Sequence, residues 1–240
     1  MRKIFLMFAI IFGTISLYAQ QTTFGISLNS GLFSFRGKSA EKTTAIIYYN
    51  AEKQGYTNNP YGSKTGLSYG FSLYIKRATK KSFLFGIDAG YETLRSKISV
   101  DQVFYNSSIM SAAAGTGINA SGRTYLNNTF LNFYPYAGYR LSFNRIKLDL
   151  TGGFDIGYCL SAKEEGTATD IDGKKYEASL DRKTIKTDIR TRIQITAHYK
   201  MIGIYAGYSA GLVNYKPGYT GGVNEAYSGM LRFGTTFTIQ

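Results

Sequence analysis

The stretch IKLDLTGGFDIGYCL, residues 146–160, alternates with a period of two. Ile146, Leu148, Leu150, Phe154, Ile156, Tyr158 and Leu160 share one parity, with Gly152 among them. Lys147, Asp149, Thr151, Gly153, Asp155, Gly157 and Cys159 share the other. Successive side chains of an extended chain point to opposite faces, so this reads as one strand with an apolar and a polar face. A helix would scatter both sets around its circumference.

Working outward, the pattern recurs. Residues 67–77 set Leu67, Tyr69, Phe71, Leu73 and Ile75 against Ser68, Gly70, Ser72, Tyr74 and Lys76. Residues 83–94 set Phe83, Phe85, Ile87, Ala89 and Tyr91 against Asp88, Gly90 and Glu92. Residues 187–199 set Ile189, Ile193, Ile195 and Tyr199 against Asp188, Arg190, Arg192, Gln194 and His198. Stretches 131–143, 202–212 and 227–239 fit as well, and 24–35 fits with Ser30 on its apolar face.

Eight strands result, and their connections alternate in length. Segments 36–66, 95–130, 161–186 and 213–226 are long, whereas 78–82, 144–145 and 200–201 are short. An even strand count with this asymmetry predicts an all-β fold: an eight-stranded antiparallel transmembrane β-barrel with short periplasmic turns and long extracellular loops. Strands of roughly 9–11 tilted residues suffice to span hydrocarbon.

A soluble β-sandwich also alternates. The partition of charge is compatible with both, and the decision for a barrel rests on export, loop asymmetry and aromatic placement taken together. The apolar faces in this register carry no charge, while the opposite faces collect Lys76, Asp88, Glu92, Arg140, Lys147, Asp149, Asp155, Asp188, Arg190, Arg192 and Arg232. Running the strands up and down also places Phe24, Phe83, Phe143, Tyr199 and Phe237 near one rim, and Tyr69, Tyr91, Phe133, Tyr158, Tyr208 and Tyr227 near the other. Two aromatic girdles match the two interfaces of a bilayer. Pro135 falls inside the fourth strand, where it has no N–H for the ladder; a bulge there, or a crossing that begins after it near 136–143, is expected.

The N-terminus supplies the export signal. Met1-Arg2-Lys3 precedes an apolar run from Ile4 to Leu17 and then Tyr18-Ala19-Gln20, the layout of a secretory signal peptide over 1–19, with the barrel over 20–240. The formal charge of +13 falls by two with Arg2 and Lys3, leaving +11. On an exported chain such basicity points to anionic lipid head groups and lipopolysaccharide, and away from nucleic acid. The 21 Tyr, 16 Phe and 27 Gly favour strands and turns over helices. Cys159 is the single cysteine, so an internal disulfide is excluded.

Three segments carry a resemblance: Phe133-Tyr134-Pro135-Tyr136-Ala137-Gly138-Tyr139, Thr151-Gly152-Gly153-Phe154-Asp155-Ile156-Gly157-Tyr158, and Tyr208-Ser209-Ala210-Gly211-Leu212-Val213-Asn214. With the Ala19-Gln20 junction, the chain resembles the PorT-like group of Bacteroidota outer-membrane β-barrel proteins. The resemblance implies residence in the bacterial outer membrane and, for the best-known members, a role in type IX secretion and gliding. The chain ends Phe237-Thr238-Ile239-Gln240, without the terminal aromatic residue usual in such barrels.

Candidate chemistry is sparse. Eight strands enclose an interior that side chains fill. Lys76, Asp88, Glu92, Arg140, Asp149, Asp155, Asp188, Arg190, Arg192 and Arg232 therefore read as a structural network of paired lumen charges. A narrow channel is the alternative reading of the same residues. A lipid A-modifying enzyme would need a base beside a nucleophile at the outer leaflet, yet the one histidine, His198, falls at the periplasmic end. Asp88, Glu92 and Asp155 read as partners of the arginines. Asp170-Ile171-Asp172-Gly173 begins like a calcium loop, but Lys174 takes the next ligand position, so a surface Asp-Gly turn is expected. Gly115-Thr116-Gly117 has no following helix to hold a phosphate. No metal, cofactor or catalytic set is expected. Ala45-Ile46-Ile47-Tyr48-Tyr49 could extend a strand or meet a partner, 106–122 reads as a Ser-, Ala-, Gly- and Asn-rich loop, and 161–186, with six basic and six acidic groups, as solvated strand extensions. The expected function is non-enzymatic, exercised through loops and envelope partners in secretion, adhesion or envelope integrity.

Overall fold

The computed structural model describes residues 21–49, 54–106, 117–216 and 224–239. The segment 1–19 expected to be a leader, Gly115, Thr116 and most of 106–122 lie outside them. The described chain is all strand and turn: β1 (Gln21–Arg36), β2 (Thr43–Tyr49), β3 (Tyr56–Thr57), β4 (Lys64–Ala78), β5 (Phe83–Asn106), β6 (Ile118–Phe143), β7 (Ile146–Asp170), β8 (Lys175–Asp181), β9 (Thr187–Tyr199), β10 (Ile202–Gly211) and β11 (Tyr227–Ile239).

Eight of these close a ring, in the order β1-β4-β5-β6-β7-β9-β10-β11 and back to β1, with every neighbour antiparallel. They are the eight that the alternation marks. Their connections β4–β5, β6–β7 and β9–β10 are short, and Ser82, Asn144 and Lys200 take left-handed backbone in them (φ 65°, 52° and 54°). Parity matches as well. Phe24, Leu28, Leu73, Phe85, Phe154, Ile195 and Ile204 are exposed on the outer wall, while Ser72, Asp149, Asp155, Arg190 and Arg232 are buried inside. A wall that shows Leu, Ile and Phe to its surroundings on every strand belongs in hydrocarbon rather than water. The residues placed at the two rims are exposed too, except Tyr227, which is half-buried. Two positions depart from the alternation. Arg77 shares the parity of Leu73 and Ile75, so the apolar face carries a charge at the short-turn rim. Lys147 has inward parity but lies exposed at that rim, outside the lumen.

Pro135 is accommodated without the expected bulge. The β6–β7 register is the same on both sides of it, Phe133↔Ile156 and Tyr136↔Gly153, and the ladder omits Tyr134 and Pro135 between them. A missing donor thus costs rungs rather than register. The register shift falls earlier, between Thr129 and Phe130, and β6 begins well before Pro135, at Ile118. Opposite, a Cβ on Gly153 would lie 2.1 Å from the Pro135 carbonyl oxygen, so the close approach needs glycine there.

The larger correction concerns the long connections. β5, β6 and β7 run past the barrel, to Asn106, from Ile118 and to Asp170, consuming much of the segments 95–130 and 161–186. Ala45–Tyr49 extends neither flanking barrel strand but belongs to a strand of its own: β2 runs parallel to the upper part of β5, pairing Thr43 with Ser99 and Ile47 with Phe104. β3 pairs with β2, and β8 with β7. Gly55 bridges to β8, its N–H donating to the Glu177 carbonyl (2.8 Å) and its carbonyl accepting the Ser179 N–H (3.0 Å). A second ring, β2-β3-β8-β7-β6-β5, therefore closes above the first and shares three strands with it. Ile46, Tyr48, Val100, Val103, Ala120, Ala168, Tyr176 and Ala178 fill it.

Outward isoleucines of β9 report on the surrounding medium. Ile195→Arg should destabilise the folded barrel in lipid vesicles by about 2–4 kcal/mol, against little change for Ile195→Leu, as read from urea unfolding.

Candidate functional site: the sealed lumen

Alternation on eight strands sends the polar residues inward, where low dielectric forces each charge to find a partner. Nine of the ten singled-out residues fall into two ion-paired clusters along the barrel axis. In the upper cluster, Arg190 donates to Glu92 Oε1 (2.5 Å) and to Asn132 Oδ1 (3.0 Å). Arg232 donates from Nη1 to Glu92 Oε2 (2.7 Å) and from Nη2 meets Asp155 Oδ2 at 2.9 Å. Arg192 Nη1 lies 3.2 Å from Asp155 Oδ1, and its guanidinium stands 4.1 Å from the Tyr134 ring centroid. Asp188 lies 3.7 Å from Arg190 Nε and accepts from Tyr215 (2.8 Å) and Ser228 (3.0 Å). Three arginines thus face three carboxylates.

The lower cluster centres on Asp149. Lys76 Nζ donates to its Oδ2 (2.6 Å), and Arg140 grips it with two prongs at 2.6 and 2.8 Å. His198 Nε2 is 3.1 Å from Asp149 Oδ2 and 3.1 Å from Lys76 Nζ. Asp88 departs from the pairing with arginine: among the described residues it has no ion pair within 4 Å. It borders two spaces of about 20 and 10 Å³, the first lined by Tyr74, Lys76, Tyr136, Asp149 and His198. Each has room for about one water, not for a hydrated ion.

Above the charges lies an apolar plug. Phe35 packs edge-on against Phe33, Tyr61 and Tyr215 with centroids 5.1, 5.0 and 4.9 Å apart, and Leu94, Leu126, Phe130 and Met230 complete the cluster. Tyr215 ties the plug to the network through its bond to Asp188. From the short-turn end upward the interior therefore runs from charged cluster to charged cluster, then plug, then the filled second ring.

Sequence reasoning missed the neutral members. Asn132 and Ser209 donate to Asp155, and Tyr215 and Ser228 to Asp188; inward parity marks the three that lie on strands, and nothing local marks Tyr215 in its loop. It also read 161–186 as solvated, whereas Glu164 is fully buried. Glu164 accepts the Thr57 N–H (2.8 Å) and pairs with Arg182, which also bonds the Thr57 carbonyl. One buried ion pair therefore pins β3 to β7. Asp170 forms the expected surface turn. Its Oδ1 accepts the N–H groups of Asp172 (3.0 Å) and Lys174 (2.9 Å), and Gly173 takes φ 83°. The Tyr176 hydroxyl holds the Asp170 carboxyl below its ordinary range. Among the described residues no three His, Cys, Asp or Glu side chains are grouped to hold a metal.

Removing one partner from this network strands the others. Asp155→Asn should destabilise by about 3–5 kcal/mol because Arg192 and Arg232 lose their shared carboxylate. Urea unfolding of variant and parent in the same vesicles measures it; a loss under about 1 kcal/mol would mean that the interior is hydrated rather than tightly paired.

No family model matches the chain, and no curated protein matches it. Among solved structures, Neisserial surface protein A (NspA) matches at 10% identity and a TM-score of 0.36, over 91% of this chain and 99% of that one. So low a score carries no weight beside the strand pairing, which by itself closes an eight-stranded β-barrel.

Proposed function

We propose that this protein is a non-enzymatic barrel of the bacterial outer membrane that acts through its extracellular end on envelope partners. The observation that carries the reading is the second ring. Three barrel strands are prolonged beyond the apolar wall and joined by β2, β3 and β8 into a filled, closed sheet above a plugged lumen. Recognition commonly resides on segments held by a rigid scaffold, and here the segments are themselves sheet. Paired charges and an aromatic plug disfavour transport. Enzymatic lipid modification is disfavoured because His198 sits at the short-turn end, engaged by Asp149 and Lys76. The resemblance to PorT-like barrels supports an accessory role in type IX secretion, with adhesion or envelope integrity as the related possibilities, and lipopolysaccharide as the surrounding lipid.

Photocrosslinking in native outer membranes tests this. A photoreactive residue at Glu177 on β8 should give a discrete protein adduct, while one at Lys81 in the short β4–β5 turn should give none. Adducts at Lys81 alone, or altered lipid A masses in a deletion strain, would contradict the reading.

A further inference from the structure

Where the apolar outer wall ends, the outward residues on three adjacent strands turn basic. On β4 the last exposed apolar residues are Tyr69 and Leu67, and Lys64 follows on the same edge. On β5 Tyr91 gives way to Arg95 and Lys97, and on β6 Leu131 gives way to Tyr125 and Arg123. Parity keeps Arg95, Lys97 and Ser99 on the outside, since Leu94, Ser96, Ile98 and Val100 are buried. Register then gathers the four cations. Lys64 stands directly opposite Lys97, Lys97 opposite Tyr125, and Ser99 opposite Arg123. Lys64 Nζ donates to Ser99 Oγ (2.5 Å), and Arg95 lies 4.6 Å from the Tyr125 ring centroid while donating to Asn127 Oδ1 (2.8 Å).

Two facts make this more than a solvated basic face. Like charges directly opposed on a sheet are unfavourable unless an anion lies between them. Among the described residues no carboxylate is within 4 Å of Lys64, Arg95, Lys97 or Arg123; the neighbouring Glu165 is engaged by Lys163 (2.5 Å). The second fact is height. Arg95 and Lys97 lie four and six residues beyond Tyr91, on the order of 10–15 Å above the aromatic rim for a tilted strand. That is the level of lipid headgroups and their sugars.

We infer that the outward face of β4, β5 and β6 at Lys64, Arg95, Lys97 and Arg123 is a binding site for a phosphate-bearing lipid headgroup of the outer leaflet. Guanidinium and ammonium groups pair with phosphate oxygens by charge-assisted hydrogen bonds, and here they converge from three strands with the Tyr125 ring between them. The inference rests on the outer-membrane reading above and adds a ligand class and a place. Bound there, the lipid would clamp the extended part of β5 against β4, where the register shifts between Thr65 and Tyr69.

The test titrates bis-phosphorylated lipid A into the folded full-length mature protein in detergent micelles, with native mass spectrometry as readout. Arg95→Gln/Lys97→Gln should weaken binding roughly tenfold or more, and Lys174→Gln/Lys175→Gln, at the distant junction of β7 and β8, by less than about twofold. Dephosphorylated lipid A should bind the parent no better than bis-phosphorylated lipid A binds the Arg95/Lys97 variant. Equal binding by variant and parent would overturn the site, as would equal binding of dephosphorylated lipid. Full displacement by millimolar inorganic phosphate would reassign it to free phosphate. Gel mobility before and after boiling reads folding separately, so a folded barrel that fails to bind rejects the lipid site and leaves the barrel reading standing. If Arg95→Gln/Lys97→Gln does not fold, Lys64→Gln/Arg123→Gln carries the same expectation.

Discussion

A strand that faces hydrocarbon has no water to satisfy its N–H and C=O groups, so every strand must have a partner on both sides. That constraint organises the molecule. It closes β1 onto β4 and β11, leaving no edge, and it forces residues of one parity outward into lipid and those of the other inward. The inward set of an eight-stranded ring has no aqueous channel to occupy, so its charges must neutralise one another. The pairing of Glu92, Asp155 and Asp188 with Arg190, Arg192 and Arg232, and of Asp149 with Lys76 and Arg140, follows from closure.

The same constraint lapses above the membrane, and the architecture changes there. β5, β6 and β7 no longer need an apolar outer face, so Arg95, Lys97, Arg123 and Lys163 replace Phe, Ile and Tyr on it. The inner face is covered by β2, β3 and β8 and combines apolar residues such as Val100, Ala120 and Ala168 with buried Ser96, Thr124 and Glu164. Gly55 and the Glu164–Arg182–Thr57 contacts close that second ring, replacing the long ladders of the barrel with a few bonds between short strands.

What the sequence disclosed follows from this division. Within hydrocarbon, parity is a chemical requirement, so 148–160 could be assigned to a face residue by residue, whereas Arg77 and Lys147 at the short-turn rim depart from it. Beyond it, alternation persists but polar residues occupy the outer parity, as in Leu94-Arg95-Ser96-Lys97-Ile98, and a search for apolar stripes stops too early. The parallel pairing of β2 with β5 joins residues more than fifty positions apart, and no local pattern encodes it. Glu164 was illegible for a related reason: a charged residue in a charged segment gives no sign of burial until its partners Thr57 and Arg182 are brought in by the fold. In the lumen, parity located the charges but not their pairing. Asp88, placed among residues expected to meet arginine, instead borders the two water-sized spaces.

The central claim is that one parity of each barrel strand touches lipid while the other is enclosed. The most direct measurement places an environment-sensitive fluorophore, one cysteine at a time in a Cys159→Ser background, along residues 191–197 of β9 in vesicles containing brominated acyl chains. The account predicts strong quenching at Ile193 and Ile195, and little at Arg192, Gln194 and Thr196. Uniform quenching, or none at any of the five, would contradict it.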